Sequence, residues 1–360
     1  MNARVGLALL VAGLFACALV AGCSNSSTNT ITVTPTPVIS GSFAPDTLWV
    51  QDATSRTVRA YRGASLANGG QIASVIVTTS DNARPDIVYD PISDTLWYPN
   101  QTVPNLTNNT IDIWTAASTL STSGVGPTIV VGPNSNTNNL EGAAVRDGLH
   151  NLLIVAHNTN NTVDVYSMAT AMTSSAVPAG HATLTMTDGG LVGTPRPQEM
   201  LYDAIHDILF VSDNGTVCAK FSGFGAAASA LSGGTTITLA ASSEITGLAL
   251  GNSTGLAYSA TADQLFITEV SPPQITVVKS ASTWNTGANH LQNLTGFVQP
   301  SGLAYDGIRD ILFAYDSGVV FVFPNGSTAS GAQLAWPGRR IIFDFSTSLS
   351  GFGLTIDLTR

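Results

Sequence analysis

A four-residue segment, Asp46-Thr47-Leu48-Trp49, constrains this chain more than any other feature because it returns five times. It reappears as Asp94-Thr95-Leu96-Trp97, Asn151-Leu152-Leu153-Ile154, Asp207-Ile208-Leu209-Phe210, Asp263-Gln264-Leu265-Phe266 and Asp310-Ile311-Leu312-Phe313, at intervals of 47 to 57 residues. A repeat of that length suits one four-stranded propeller blade with outer loops of variable size, and it is too long for leucine-rich or ankyrin units. Five copies follow an apolar run that ends in a turn: Ile87-Val88-Tyr89-Asp90, Ala144-Val145-Arg146-Asp147, Met200-Leu201-Tyr202-Asp203, Leu256-Ala257-Tyr258-Ser259 and Leu303-Ala304-Tyr305-Asp306. These are predicted innermost strands, joined to the recurring segment by tight hairpins in which Asx side chains bond the local backbone.

Each copy is followed by an alternating third strand, as in Thr162-Val163-Asp164-Val165-Tyr166, and by a more variable fourth, such as Ser74 to Val77 or Thr236 to Leu239. No segment shows helical periodicity. The first copy lacks an inner strand before it, whereas the C-terminal Ile341-Ile342-Phe343-Asp344 has the right hydrophobics and the matching aspartate. The expectation is therefore an all-β, six-bladed β-propeller over residues 41–360, its ring closed by the C-terminal strand pairing into the first blade. Gly353 to Leu358 is a further strand-like stretch that six blades leave over, and it keeps a count of seven open.

The pattern resembles the NHL-repeat and related six-bladed propeller families over roughly residues 43 to 346. Arg146 departs from it at a tyrosine position, and Ser259 at an aspartate position. The resemblance implies a fold but not one activity, since such propellers include hydrolases, lyases, lactonases and plain scaffolds.

At the other end of the chain, Arg4 precedes an uncharged run from Val5 to Gly22, as in an export signal. Val20-Ala21-Gly22-Cys23 resembles the lipobox of bacterial lipoproteins, which implies cleavage before Cys23 and a diacylglycerol on its thiol. The rival Leu14-Phe15-Ala16-Cys17 sets bulky Phe15 where a small residue is wanted. The expected organisation is a signal peptide at 1–22, a lipidated cysteine with an uncharged Ser, Thr, Asn and Pro tether at 23–40, and the propeller. Ser24, where an aspartate would imply inner-membrane retention, implies an outer-membrane lipoprotein, periplasmic or surface-exposed. A Gram-positive cell surface is the other option. With Cys17 removed and Cys23 acylated, Cys218 has no disulfide partner and reads as a buried small hydrophobe.

The chain carries 13 basic against 23 acidic side chains, one of the former being Arg4 in the leader, so it offers no face for phosphates and nucleic acid is not an expected partner. Polar residues recur three positions after the second-strand aromatic or Ile: Asp52, Asn100, His157, Asp213, Glu269 and Asp316. They read either as a rim of oxygen ligands able to hold calcium or as caps on the following turn. The cap is favoured, because a residue repeated in every blade serves blade geometry. Less symmetric are Arg84, Asp86, Glu141, Arg196 and Glu199, ahead of the inner strands, where two carboxylates are expected to face the channel or to pair locally with the arginines.

The resulting candidate binding residues are Asp86, Glu141, Glu199, Asn100, His157 and Asp213. Among the histidines, only His157 is placed to act as a base. No nucleophile elbow, phosphate loop or zinc spacing is present. The leading expectation is a non-enzymatic binding or scaffold module for protein or glycan partners, docked on loops such as Asn100 to Thr110 and Asn134 to Asn139. The alternative is a metal-assisted hydrolase, lactonase or lyase with an ion at the channel mouth.

Overall fold

A computed structural model describes residues 46–357 except 53–54, 80–86, 101–109, 132–142, 158–160, 168–181, 188–196, 214, 231–235, 251–254, 287–290, 333–337 and 345–352. Six antiparallel sheets form the blades of a six-bladed β-propeller. From the innermost strand outward, blade 1 is β27 (Leu354–Asp357), β1 (Thr47–Asp52), β2 (Thr57–Arg62) and β4 (Val75–Thr78). Blade 2 is β5 (Val88–Asp90), β6 (Thr95–Asn100), β7 (Thr110–Thr115) and β8 (Ile129–Val131). Blade 3 is β9 (Ala144–Asp147), β10 (Leu152–His157), β11 (Thr162–Ser167) and β12 (Ala182–Thr187). Blade 4 is β13 (Glu199–Asp203), β14 (Ile208–Ser212), β15 (Val217–Ser222) and β17 (Ser243–Thr246). Blade 5 is β18 (Leu256–Ser259), β19 (Gln264–Val270), β20 (Pro273–Lys279) and β21 (Leu291–Thr295). Blade 6 is β22 (Pro300–Asp306), β23 (Ile311–Asp316), β24 (Val319–Pro324) and β26 (Arg340–Asp344).

The recurring tetrapeptide has two physical jobs. Its last residue (Trp49, Trp97, Ile154, Phe210, Phe266 or Phe313) is at most 1% exposed and fills the seam with the following blade. Phe266, for example, stacks on Tyr305 at 5.5 Å, and Trp97 joins Leu153 and Val155 of blade 3 in one core cluster. Each such side chain contributes about 1.5–3 kcal/mol of burial. Six seams of this kind replace a single central core.

The aspartate that opens the tetrapeptide holds the hairpin geometry. Asp94, Asp207, Asp263 and Asp310 sit at φ between 50° and 56°, and Asn151 at 58°. This is left-handed backbone that Asp and Asn tolerate better than other residues with a side chain. The Asp310 carboxylate accepts hydrogen bonds from the Tyr305 hydroxyl (2.6 Å), the Ser327 amide (2.7 Å) and the Ser327 hydroxyl (2.6 Å). Asp94 does the same with Tyr89 and Ser118, and Asp263 with Tyr258 and Ser282. Asp207 holds Tyr202 and the amides of Gly225 and Ala226. Burial alone would raise the Asp310 carboxyl, but these bonds outweigh it and hold its pKa below the ordinary carboxylate value. The clasp ties the innermost strand to the turn that follows the third strand. A second carboxylate, at Asp90, Asp147, Asp203 and Asp306, caps each hairpin through the amides two or three residues on. Ser259 does so more weakly in blade 5.

Two strand expectations are corrected. The closing strand is β27, whose Leu354 to Asp357 pair with Val50 to Thr47, and not Ile341–Asp344. The latter is the outer strand of blade 6, with Ile342 opposite Val320. Both segments are short and apolar, and partner choice rather than local pattern separates them; the stretch left over by six blades is thus used without a seventh. The segment β16 (Thr236–Ala240), expected as the fourth strand of its own blade, instead runs parallel to β12 of blade 3, leaving β17 as fourth strand. The strands β3 (Gly69–Gln71) and β25 (Gly331–Ala332) likewise join the outer strands of blades 6 and 5. Val125 of blade 2 bridges to Val77 of blade 1. From blade 5, the backbone carbonyls of Ser282 and Trp284 accept from Lys220 Nζ of blade 4 at 3.1 and 2.7 Å. At five of the six joints, among the described residues, the chain leaving a third strand covers the outer edge of the preceding blade, as edge protection requires. One six-residue helix, Phe224–Ser229, replaces the usual single turn in blade 4 and is too short to have shown a period. Its Gly225 is required, since a Cβ there would run into the Tyr202 hydroxyl, the Asp147 carboxylate and the His150 ring.

Ending the chain after residue 352 removes β27 and exposes the inner edge of β1. The melting temperature of that truncated chain should fall by about 10 °C or more relative to the full chain; a shift within error would mean that β27 does not close the ring.

Candidate functional site

The innermost strands of all six blades line a central channel whose cavity measures about 390 Å³. Its wall is aliphatic, with Val88, Leu201, Ala257, Leu303 and Ile356 among the lining residues. Strand direction separates two faces. The hairpins between first and second strands lie on one, and the second-strand ends, with the approaches to the inner strands, lie on the other, which forms the rim. At the rim end the channel is bordered by buried Glu199, and at the hairpin end by Arg146, Tyr202, Tyr258 and Tyr305.

The six rim residues occupy equivalent positions, and among the described residues each engages a partner close by in the chain or on the adjacent strand. Asp52 accepts from the Ser55 amide and lies 3.3 Å from Arg59 Nε. Asp213 accepts from the amides of Gly215 and Val217, both at 2.9 Å. Asn100 donates to Thr110 Oγ1 at 3.3 Å. His157 Nε2 lies 2.9 Å from Asp164 Oδ2 on the adjacent strand, with both side chains about 6% exposed. Asn100 and His157, which engage side chains of the third strand, and Glu269 and Asp316 differ from the expected turn cap. Glu269 holds the Ala249 amide, and Asp316 the amides of Val298 and Gln299, so both fasten the segment leading into the innermost strand. Glu269 also accepts from Gln274 and Thr276.

Of the sequence candidates, Asn100, His157 and Asp213 therefore stand on one face at the ends of neighbouring second strands, and Glu199 borders the channel. Arg84, Asp86, Glu141 and Arg196 lie outside the described residues, as do Cys23, most of the Asn100 to Thr110 loop and the Asn134 to Asn139 loop. Among the described residues no three His, Cys, Asp or Glu side chains converge as a metal site requires.

Sequence reasoning missed the function of the blade 3 departures. Arg146 stands at the tyrosine position and Asn151 at the clasp aspartate, so the in-blade clasp is altered at both ends. The Arg146 guanidinium instead bonds Asp90 in the hairpin of blade 2, with side-chain exposures of 9% and 0%. Burial lowers the guanidinium's pKa from its ordinary value, and Asp90 and Asp147 oppose that shift. The signal was present in the sequence as a paired substitution within one repeat. Tyr202, Tyr258 and Tyr305 have their hydroxyl pKa values raised, first by burial and then by the clasp carboxylates, which keeps them protonated donors. Cys218 is fully buried, and burial raises its thiol.

No family model matches this chain, and no curated protein matches it. Solved structures do. A chain in the crystal structure of a nidogen/laminin complex aligns over 88% of this chain and 99% of its own length, with a TM-score of 0.55 and 13% identity. A functionally unknown protein from Desulfotomaculum acetoxidans DSM 771 aligns over 86% and 84%, with a TM-score of 0.51 and 9% identity. At such identities the likeness is one of fold.

Replacing Arg146 with alanine leaves the Asp90 carboxylate buried without its cation, which should cost about 3 kcal/mol in denaturant unfolding. The double variant Arg146→Ala, Asp90→Asn, which removes the stranded charge and keeps an amide oxygen for the hairpin cap, should recover most of that loss. An alanine variant within about 0.5 kcal/mol of the parent would show that the cross-blade pair contributes nothing.

Proposed function

We propose that this chain is a lipid-anchored protein of the cell envelope whose propeller is a binding or scaffold module for protein or glycan partners. The observation that carries the reading is the engagement of the rim. Asp52, Asp213, Glu269 and Asp316 are bonded to amides of their own blades, so the repeated polar residues maintain blade geometry and contact surface becomes the functional resource. The lipobox-like Val20-Ala21-Gly22-Cys23 supports the anchor and Ser24 supports outer-membrane residence, periplasmic or surface-exposed. The uncharged stretch at 23–40 supports a linker between anchor and domain.

Two measurements on the full chain test this. Cys23→Ser should move the protein from the membrane to the soluble fraction, and continued membrane residence of that variant would contradict the anchor. Addition of a chelator should leave the melting temperature unchanged. A chelator-dependent fall, as mass action demands of an ion bound only to the native state, would favour the metal-assisted hydrolase or lyase reading instead.

A further inference from the structure

Four of the hairpins that close the inner pairs carry a large, outward-facing apolar side chain at one position. Ile92, Leu149, Ile205 and Ile308 stand at the same place in the hairpins of blades 2, 3, 4 and 6, two residues after the capping aspartate, and are 73%, 66%, 73% and 49% exposed. Thr261 takes the position in blade 5. Four large aliphatic side chains thus project around one mouth of the channel, against the rule that exposed apolar groups on a soluble surface are scattered. Leu66, 75% exposed, lies in the turn after β2 on the same face.

Two other observations indicate what covers this surface. The first is where the chain enters. Asp46 is the blade 1 counterpart of the clasp aspartates, with its carboxylate on the Ser65 amide, so the polypeptide joins the propeller on the hairpin face, at the gap that blade 1 leaves in the ring. Taken as a coil, the stretch from Cys23 to Asp46 would span about 25 Å, against about 20 Å for a six-residue strand. A chain anchored at Cys23 would thus reach the propeller at its hairpin face first. The second is charge. The capping aspartates of this face are buried and its clasp aspartates are half-buried. Among the described residues, the most exposed ionisable side chains there are Arg62, which donates to the Ser118 and Leu120 carbonyls, and His206 and Arg309, each paired with the capping aspartate of its own hairpin. Apolar tips on a face whose carboxylates are capped, clasped or paired match the apolar boundary of a bilayer.

We propose that the hairpin face rests on the membrane that anchors Cys23, with Ile92, Leu149, Ile205 and Ile308 entering its interfacial layer and the rim turned away. The proposal rests on the lipoprotein reading above and adds an orientation to it. It leaves the rim and its loops as the side open to partners.

The test uses the full chain reconstituted in vesicles of phosphatidylethanolamine and phosphatidylglycerol, with a fluorophore on Leu149→Cys, Ile205→Cys or, at the rim, Val298→Cys. Cys218 is fully buried and does not compete for label, and Val298 is 72% exposed. A lipid-borne quencher should dim the labels at 149 and 205 severalfold more than the label at 298. Equal or reversed quenching in protein whose mass shows lipid on Cys23 overturns the orientation and leaves the anchor standing. Hairpin labels shielded from aqueous iodide but untouched by the lipid-borne quencher overturn it too, in favour of a second copy or a protein partner on that face. A mass without lipid on Cys23 refutes the lipoprotein reading itself, and the orientation falls with it.

Discussion

The carboxylate clasp at the opening of the second strand in blades 2, 4, 5 and 6 is the interaction on which the architecture depends. It satisfies three donors from chain segments on both sides of the strand, and it does so from a left-handed residue, a conformation that Asp and Asn tolerate. Because the clasped tyrosine belongs to the innermost strand and the clasped amide to the turn after the third, one side chain sets both the hairpin and the exit direction of the blade. That exit direction sends the chain over the neighbouring outer edge, where it forms the parallel additions at β3, β16 and β25. Clasp, seam aromatic and edge cover are thus three consequences of one tetrapeptide and its surroundings.

The inner half of blades 2 to 6 was legible in the sequence because its constraints are local. A hairpin needs its capping Asx, a left-handed residue needs Asp or Asn, and a seam needs a large apolar side chain. Asp90, Asp94 and Trp97 lie within eight residues of one another. The outer half was not legible in the same way. Ile341–Asp344 and Leu354–Asp357 both satisfy the inner-strand pattern, and only the partner strand tells them apart. Thr236–Ala240 has the alternation of a fourth strand, and nothing local says that it pairs with the neighbouring blade. Long-range pairing is a property of the closed ring, and a single blade does not contain it. The candidate site divides along the same line. The periodicity of Asp52, Asp213, Glu269 and Asp316 already favoured blade geometry over ligand binding, whereas the cross-blade use of Arg146 required knowing which hairpin lies beside it.

Departures from the repeat are where this propeller acquires sides that differ. Blade 3 exchanges its own clasp for an ion pair with blade 2, blade 5 carries a serine cap and a threonine tip, and blade 1 is left open on the hairpin face where the chain enters. The apolar tips and the N-terminal approach fall on that face, while the half of each blade that faces the rim is spent on fastening loops. A domain organised in this way has one surface suited to an anchoring environment and another suited to display.

Amide hydrogen exchange at the clasped turns measures the central claim most directly. Ser118 is half-exposed and belongs to a three-residue turn, so its amide would ordinarily exchange as a surface loop does. With Asp94 holding it at 2.8 Å, as Asp263 and Asp310 hold Ser282 and Ser327, these three amides should exchange only through global unfolding, as slowly as the amide of buried Leu312 in β23. Exchange of the three at loop-like rates, with Leu312 still protected, would mean that the clasp is a decoration of the blades and does not hold them.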